Sequence, residues 1–332
     1  MLGARLVSSL NPVTKLISDC LLMKWVKKNL IYCTTGKYPG SVSHCQVPKP
    51  YLIDDTTLRI YYGTRDIKNI TSTSFLEVEA ETPEKILYVH NAPVMDTGGN
   101  GTFDEYGVMP GCFLKEGADL IMYYTGWSKS KDYPYCVFIG IARSVDGGVT
   151  FERGTINPVV INESISCSQP FVINMDSKWI MWYSSFTGWE MTNGTNNSIY
   201  EPSYGLRAAY STDGLNWETD DIPILQIDEN TFNVVNPTIW IENEKWHMLF
   251  SYRRRYDFRE NPENSYRIGY AASNDGISWD IPVLDVLPVS DKGWDDSMIS
   301  YPAVYLHKGK KYLLYNGNGF GKSGFGYAVA EE

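Results

Sequence analysis

The chain has 332 residues, with 39 Asp and Glu against 29 Lys and Arg, a formal charge of −10, and 24 Tyr and 10 Trp. This acidic balance, with no Lys or Arg run longer than Arg253-Arg254-Arg255, argues against a nucleic-acid binder that tracks phosphates. No stretch approaches the ~20 apolar residues of a transmembrane span, and the aromatic load suits a large all-β domain.

Residues 1–22 carry Arg5, Asn11, Pro12, Lys15 and Asp19 between short apolar pieces, so they read as a flexible extension rather than a signal peptide. The six cysteines (Cys20, Cys33, Cys45, Cys112, Cys136 and Cys167) include no C-x-x-C pair. Neither a zinc knuckle nor a disulfide framework is indicated, and a cytoplasmic location is expected. The fold is expected to begin near Met23 and to run to residue 332 as one domain, opening with the strand-like segment Trp25 to Cys33.

Downstream, one pattern recurs five times: a short strand opened by an x-Pro pair, a turn, and a strand dense in Tyr and Trp. The copies start at Val47, Met109, Gln169, Asn236 and Tyr301. The three central copies continue into a small-residue strand and an Asp-Gly hairpin, at Asp146, Asp213 and Asp275. Such units, four strands each and about 60 residues long, predict a five-bladed β-propeller. The fifth copy stops at GFGYAVAEE, where its hairpin would begin, so the N-terminal strand is expected to complete the last blade.

In a meandering blade, the loops entering the inner strand and those joining the second to the third strand share one face. In chain order that face brings together His44, Arg65, Asp66, Asp104, Glu105, Trp127, Trp189, Glu201, Asn236, Arg253, Asp296 and Asn316. Carboxylates beside aromatic rings are what a sugar site needs: acids at the anomeric centre and rings over the apolar sugar face. Asp104, Glu105, Glu201 and Asp296 are therefore the catalytic candidates. His44, Arg65, Asp66, Trp127, Trp189, Asn236, Arg253 and Asn316 are the candidate substrate contacts. Two arginines, Arg65 and Arg253, would suit a carboxylated or phosphorylated sugar. No residue is assigned as a metal ligand and no cofactor is required, although a histidine near the axis could hold a water-coordinated divalent cation in the central channel.

Five repeats, x-Pro inner strands and A-x-S-x-D-G-x-x-W hairpins together resemble the five-bladed propeller superfamily of arabinanase, xylosidase, invertase and levansucrase glycoside hydrolases, over about Met23 to Glu332. The resemblance implies an Asp base or nucleophile, a second Asp and a Glu acid on the first three inner strands, with the Asp usually just before the proline. Here Val47, Met109 and Gln169 stand before those prolines. Either the acids have moved into neighbouring loops, with Asp104 or Glu105 serving the second blade and Glu190 or Glu201 the third, or hydrolysis has been lost. The segments GTFDEYGVMP, LRIYYGTRD, GWDDSMISYP and YNGNGFGKSGFGYA also look like a branch of these propellers associated with bacterial surface-polysaccharide biosynthesis.

The expected activity is glycosidase-like, cleaving or transferring a glycosyl unit on a carbohydrate or glycoconjugate. The alternatives are a non-catalytic glycan-binding propeller, and a transferase or phosphorylase acting on an activated or phosphorylated sugar. The oligomeric state is left open.

Overall fold

A computed structural model describes residues 23–160, 166–175, 178–193, 198–220, 222–225, 227–228 and 231–331, and the expected extension at 1–22 lies outside them. The architecture is all-β. The first strand is β1 (Lys24–Tyr32). The first copy contains β2 (Ser43–Leu52), β3 (Thr57–Arg65), β4 (Thr71–Glu79) and β5 (Ile86–Val89). The second contains β6 (Gly107–Glu116), β7 (Asp119–Ser128), β8 (Cys136–Ser144) and β9 (Glu152–Arg153). The third contains β10 (Cys167–Met175), β11 (Lys178–Asn193), β12 (Ser198–Ser211) and β13 (Glu218–Thr219). The fourth contains β14 (Phe232–Glu242), β15 (Lys245–Arg254) and β16 (Arg267–Ser273), and the fifth β17 (Ser300–His307), β18 (Lys310–Asn316) and β19 (Phe325–Glu331).

Pairing within each copy is antiparallel and follows chain order, and β1 pairs with β19, matching Trp25 to Ala330. The first two copies form one hydrogen-bonded sheet, joined by a single parallel pairing of Thr71 with Gly107. Outer strands are short, and the fourth copy replaces its outer strand with isolated bridges from Tyr270 to Val283 and Ser273 to Trp279. The expectation of a full fourth strand is corrected there.

The x-Pro pairs have a shared geometry. Proline cannot donate to a β-ladder, so it falls where the register shifts, at each of the five inner strands. In four copies the residue before proline takes a positive φ: Val47 (52°), Gln169 (52°), Asn236 (54°) and Tyr301 (56°). This conformation is costly for a β-branched residue such as Val47, and hydrogen bonds to the neighbouring sheet hold it in place. The buried N–H freed from the ladder donates to a side chain near the end of the preceding copy's second strand. Val47 donates to Asn316 Oδ1 at 2.7 Å, Gln169 to Thr125 Oγ1 at 2.9 Å, Asn236 to Ser184 Oγ at 3.1 Å and Tyr301 to Ser251 Oγ at 2.7 Å. The matching position before the second copy is Gly63, where a Cβ would lie 3.1 Å from Met109 Cγ.

A second joint explains the aromatic strands. The hydroxyls of Tyr61 and Tyr123 and the indole N–H of Trp182 each donate to a glycine carbonyl in the next copy's hairpin turn: Gly148, Gly214 and Gly276. The small third strand makes room for other rings of the second strand. Tyr124 pairs with Gly140 and Phe250 with Gly269, and a Cβ on either glycine would come within 2.6 Å of the opposing ring. Apolar clusters fill the seams between neighbouring copies, including one shared by the first and fifth, where Leu58 and Tyr62 meet Tyr312 and Leu314. A further cluster at the centre joins Met109, Phe186, Val235 and Tyr301.

Candidate functional site

A cavity of about 470 Å³ opens above that central cluster, at the ends where the inner strands begin. Each copy contributes to its wall: Gln46 and Arg65 from the first, Met109 and Trp127 from the second, Gln169 and Tyr204 from the third, Val235 and Tyr266 from the fourth, and Tyr301 and Phe320 from the fifth. The wall is rich in rings drawn from strands and loops alike: Trp127 and Phe186 from second strands, Tyr204 from β12, Tyr301 from β17, and Tyr106, Tyr135, Phe258, Tyr266 and Phe320 from the connecting segments. Trp127 packs on Tyr135 with centroids 4.8 Å apart, and Phe258 stands edge-on to Tyr266 at 6.0 Å.

The sequence-predicted residues separate clearly. His44, Arg65 and Trp127 line the cavity. Arg65 donates from Nε to Gln46 Oε1 at 3.1 Å and from Nη1 to Asn69 Oδ1 at 3.2 Å, both neutral acceptors. Burial lowers its pKa, and the nearby charge of Arg259 lowers it further. Burial, with Arg65 and Lys322 close by, depresses His44 to about 4, so its imidazole is neutral near pH 7.

Arg253 lies behind the wall and is fully buried. It donates to Tyr204 Oη at 2.9 Å and to the carbonyls of Pro202, Arg254 and Arg255, and its guanidinium sits 3.6 Å over the Phe258 ring. The hydroxyls of Tyr204 and Tyr266 are hydrogen-bonded to each other. Arg253 thus sets the positions of wall aromatics, and its donors are taken up by protein acceptors rather than offered to a substrate.

Asp104, a catalytic candidate from the sequence, does not line the cavity. Asp104 is completely buried, accepts from Tyr124 at 2.9 Å and Thr102 at 2.9 Å, and pairs with Arg153 at 2.7 Å. Glu105 accepts from the Gly101 N–H, and Asp296 from Gly293 N and Asn318 Nδ2, so both order their own loops. Asp66 accepts from the N–H groups of Lys68 and Ile70 and caps its turn. Trp189 stacks on Tyr133 at 5.8 Å, outside the lining residues.

Both asparagines are joints. Asn236 accepts from Lys49 Nζ at 3.0 Å and donates to the Pro302 carbonyl. Asn316 accepts from Val47 N and donates to the carbonyls of Cys45 and Gly324. Replacing Asn316 with alanine strands these buried groups and is expected to cost about 2–4 kcal/mol of stability, read as a lowered urea midpoint. An unchanged midpoint would return Asn316 to the candidate ligand contacts.

Lys49 reaches from the first copy to the fourth, and burial lowers its pKa to about 8. Among the described residues no group of three His, Cys, Asp or Glu side chains is placed to hold a metal.

Glu201 is distinct among the candidate acids. It is 5% exposed, its Oε2 has no hydrogen-bond partner among the described residues, and the adjacent Pro202 lines the cavity. Burial raises its pKa, with Arg253 and Arg259 pulling the other way. Among the described residues the lining contains no carboxylate. The positions that the family resemblance would fill with acids include Met109 and Gln169, which do face the cavity. Sequence reasoning missed Arg259 and the ring set of Tyr106, Tyr135, Tyr204, Tyr266 and Phe320. Arg259 sits in the loop after Arg253, and its place in the wall follows only from how that loop folds over the centre.

No family model matches this sequence. The chain is 33% identical over 314 residues to uncharacterized proteins MT1551 and Rv1502 of two Mycobacterium tuberculosis strains, covering 93% of this chain and all of theirs. Solved structures that resemble it include a glycoside hydrolase (TM-score 0.72, 14% identity, 97% of this chain and 95% of that one). A complex of BT0996 with RGII has TM-score 0.71, 15% identity and coverage of 96% and 94%. A GH130 glycoside hydrolase, from the family of mannoside phosphorylases, has TM-score 0.67, 14% identity and coverage of 93% and 94%. At these identities the likeness is one of fold. The chain belongs to the family of MT1551 and Rv1502, and its all-β fold is similar to that of solved propeller-type glycoside hydrolases.

Proposed function

We propose that this chain is a carbohydrate-active, glycosidase-like enzyme that cleaves or transfers a glycosyl unit in the central cavity. In this reading residues 23–332 form one five-bladed propeller, and β1 completes the last blade. The observation that carries it is the ring-walled cavity into which every copy sends side chains. Flat rings cover the apolar face of a sugar, and Gln46, Gln169 and Ser168 offer hydrogen bonds to its hydroxyls. A glycan of a surface polysaccharide, or its precursor, is the substrate class carried over from the sequence.

Glu201 favours an enzyme over a passive binding module. The buried acids Asp104 and Asp295 are tied to cations and hydroxyls, whereas Glu201 keeps a buried oxygen that has no partner among the described residues, at a cost to stability. Its raised pKa suits a general acid that protonates a leaving oxygen. A second carboxylate at ~5 or ~6.5–9.5 Å would be needed for hydrolysis by an acid pair. No carboxylate, Glu201 included, is in the described lining, so in this reading Glu201 turns in beside Pro202 to donate its proton, and the attacking group comes from the bound acceptor or from solvent.

The test is a binding and turnover screen of the full chain against oligosaccharides and activated glycosides. Saturable binding is expected, weakened about tenfold in Trp127→Ala through loss of ring stacking. The reading is overturned if no oligosaccharide binds, or if Trp127→Ala binds as tightly as the parent.

A further inference from the structure

The cavity wall runs against the charge of the rest of the molecule. The chain carries a net charge of −10, yet the described lining contains His44, Arg65, Lys129 and Arg259 and no acid. Lys129 is engaged by the Tyr106 hydroxyl and ring. Arg65 has only neutral acceptors, and Arg259 touches the rings of Phe258 and Phe320 with its guanidinium carbon 4.7 and 5.3 Å from their centroids. Among the described residues neither arginine is in an ion pair. They lie close enough for the charge of Arg259 to disfavour that of Arg65. Like charges gathered in a wall that holds no acid, with Glu201 set outside the lining, are unfavourable in the empty protein and favourable around an anion.

We propose that His44, Arg65 and Arg259 form a subsite for a phosphate group at the sugar-binding cavity. This rests on the cavity being the carbohydrate site. Two permanent cations, with Lys322 beside His44, exceed what one carboxylate balances, whereas a phosphate ester carries about −1.5 to −2 near neutral pH. Guanidinium groups also match phosphate oxygens in bidentate geometry. His44 adds a coupling. The charged groups facing it are Arg65, from β3, and Lys322, from the turn before β19; its Nδ1 is hydrogen-bonded to Ser43 Oγ at 2.9 Å. Burial is the main reason the ring is neutral and the two positive charges add to it; a bound dianion offsets the charges and supplies an acceptor, so binding favours a proton on His44. The phosphate belongs either to the sugar itself or to free inorganic phosphate entering as a co-reactant; the site chemistry is the same.

The experiment is calorimetry of the full chain with a hexose, the corresponding hexose phosphate, the hexuronate and inorganic phosphate, in buffers of differing ionisation enthalpy. The hexose phosphate is expected to bind at least tenfold more tightly than the hexose, with net proton uptake that disappears in His44→Gln. Arg259→Ala, at an exposed position, is expected to remove most of the preference without disturbing the fold, and Arg65→Gln to do the same. Binding of inorganic phosphate that strengthens hexose binding supports the subsite and identifies free phosphate as the source. Preference only for the hexose phosphate supports the subsite and places the group on the sugar. Equal affinity for hexose and hexose phosphate, or equal affinity for the hexuronate, overturns the phosphate assignment while leaving the carbohydrate reading intact. Phosphate binding without any sugar binding would instead remove the carbohydrate reading.

Discussion

Glu201→Gln is expected to lower kcat by about 10²–10⁴-fold while leaving KM close to its parent value, because it removes a transferable proton and keeps the shape of the side chain. The variant should fold normally, since Glu201 Oε2 makes no hydrogen bond among the described residues. The pH dependence has a defined sign. Burial raises the carboxyl's pKa, so the protonated form persists to higher pH than in an exposed glutamate. Parent activity should fall as pH rises through that value, and the residual activity of the glutamine variant should lack this limb. Parent-like kcat in Glu201→Gln, under conditions where the parent turns over, would eliminate Glu201 as the proton donor.

Asp104→Asn is expected to act on stability instead, by about 3 kcal/mol, measured as a lowered urea midpoint with unchanged slope. The carboxylate accepts three hydrogen bonds, from Thr102, Tyr124 and Arg153, and an amide nitrogen in its place would face donors. Arg153 is 25% exposed, so water recovers part of its lost partner and keeps the cost below that of a fully buried pair. Turnover per folded molecule should stay at the parent level. The opposite pattern, intact stability with lost turnover, would restore Asp104 to catalysis.

Asp104 also illustrates why the acids were hard to sort from sequence. Its counterpart in the fifth copy, Asp295, is bonded to Tyr315 at 3.0 Å and Lys27 at 2.7 Å, as Asp104 is to Tyr124 and Arg153. Tyr124 and Tyr315 hold equivalent places, each paired with a glycine, Gly140 and Gly326. An acid that recurs at one place of an architectural repeat is a joint between strands. That signal was present in the chain, but the partners Arg153 and Lys27 lie 49 and 268 residues away, and nothing local identifies them.

The hairpin aspartates were legible for the converse reason. Asp213 accepts from the N–H groups of Asn216 and Leu215, and Asp275 from those of Ser278 and Ile277, which hold both carboxyls below the usual carboxylate range. Everything such a turn needs lies within three residues, including a glycine at positive φ, Gly214 or Gly276.

What the sequence by itself determined was therefore whatever depends on near neighbours and repetition: the strand order, the x-Pro inner strands, the aromatic second strands, the small-residue third strands and the Asp-Gly turns. Even the pairing of the first strand with the last could be anticipated, because an incomplete fifth copy and a spare N-terminal strand are visible in the chain. The tertiary structure alone decided which charges meet. It tied Asp104 to Arg153, turned Arg253 inward beneath Tyr204, laid Lys49 across the axis toward Asn236, and left Arg65 and Arg259 facing one cavity without an acid. The reason is physical: backbone preferences and burial periodicity act over a few residues, whereas an ion's fate is set by whichever charge the completed fold brings within a few ångströms.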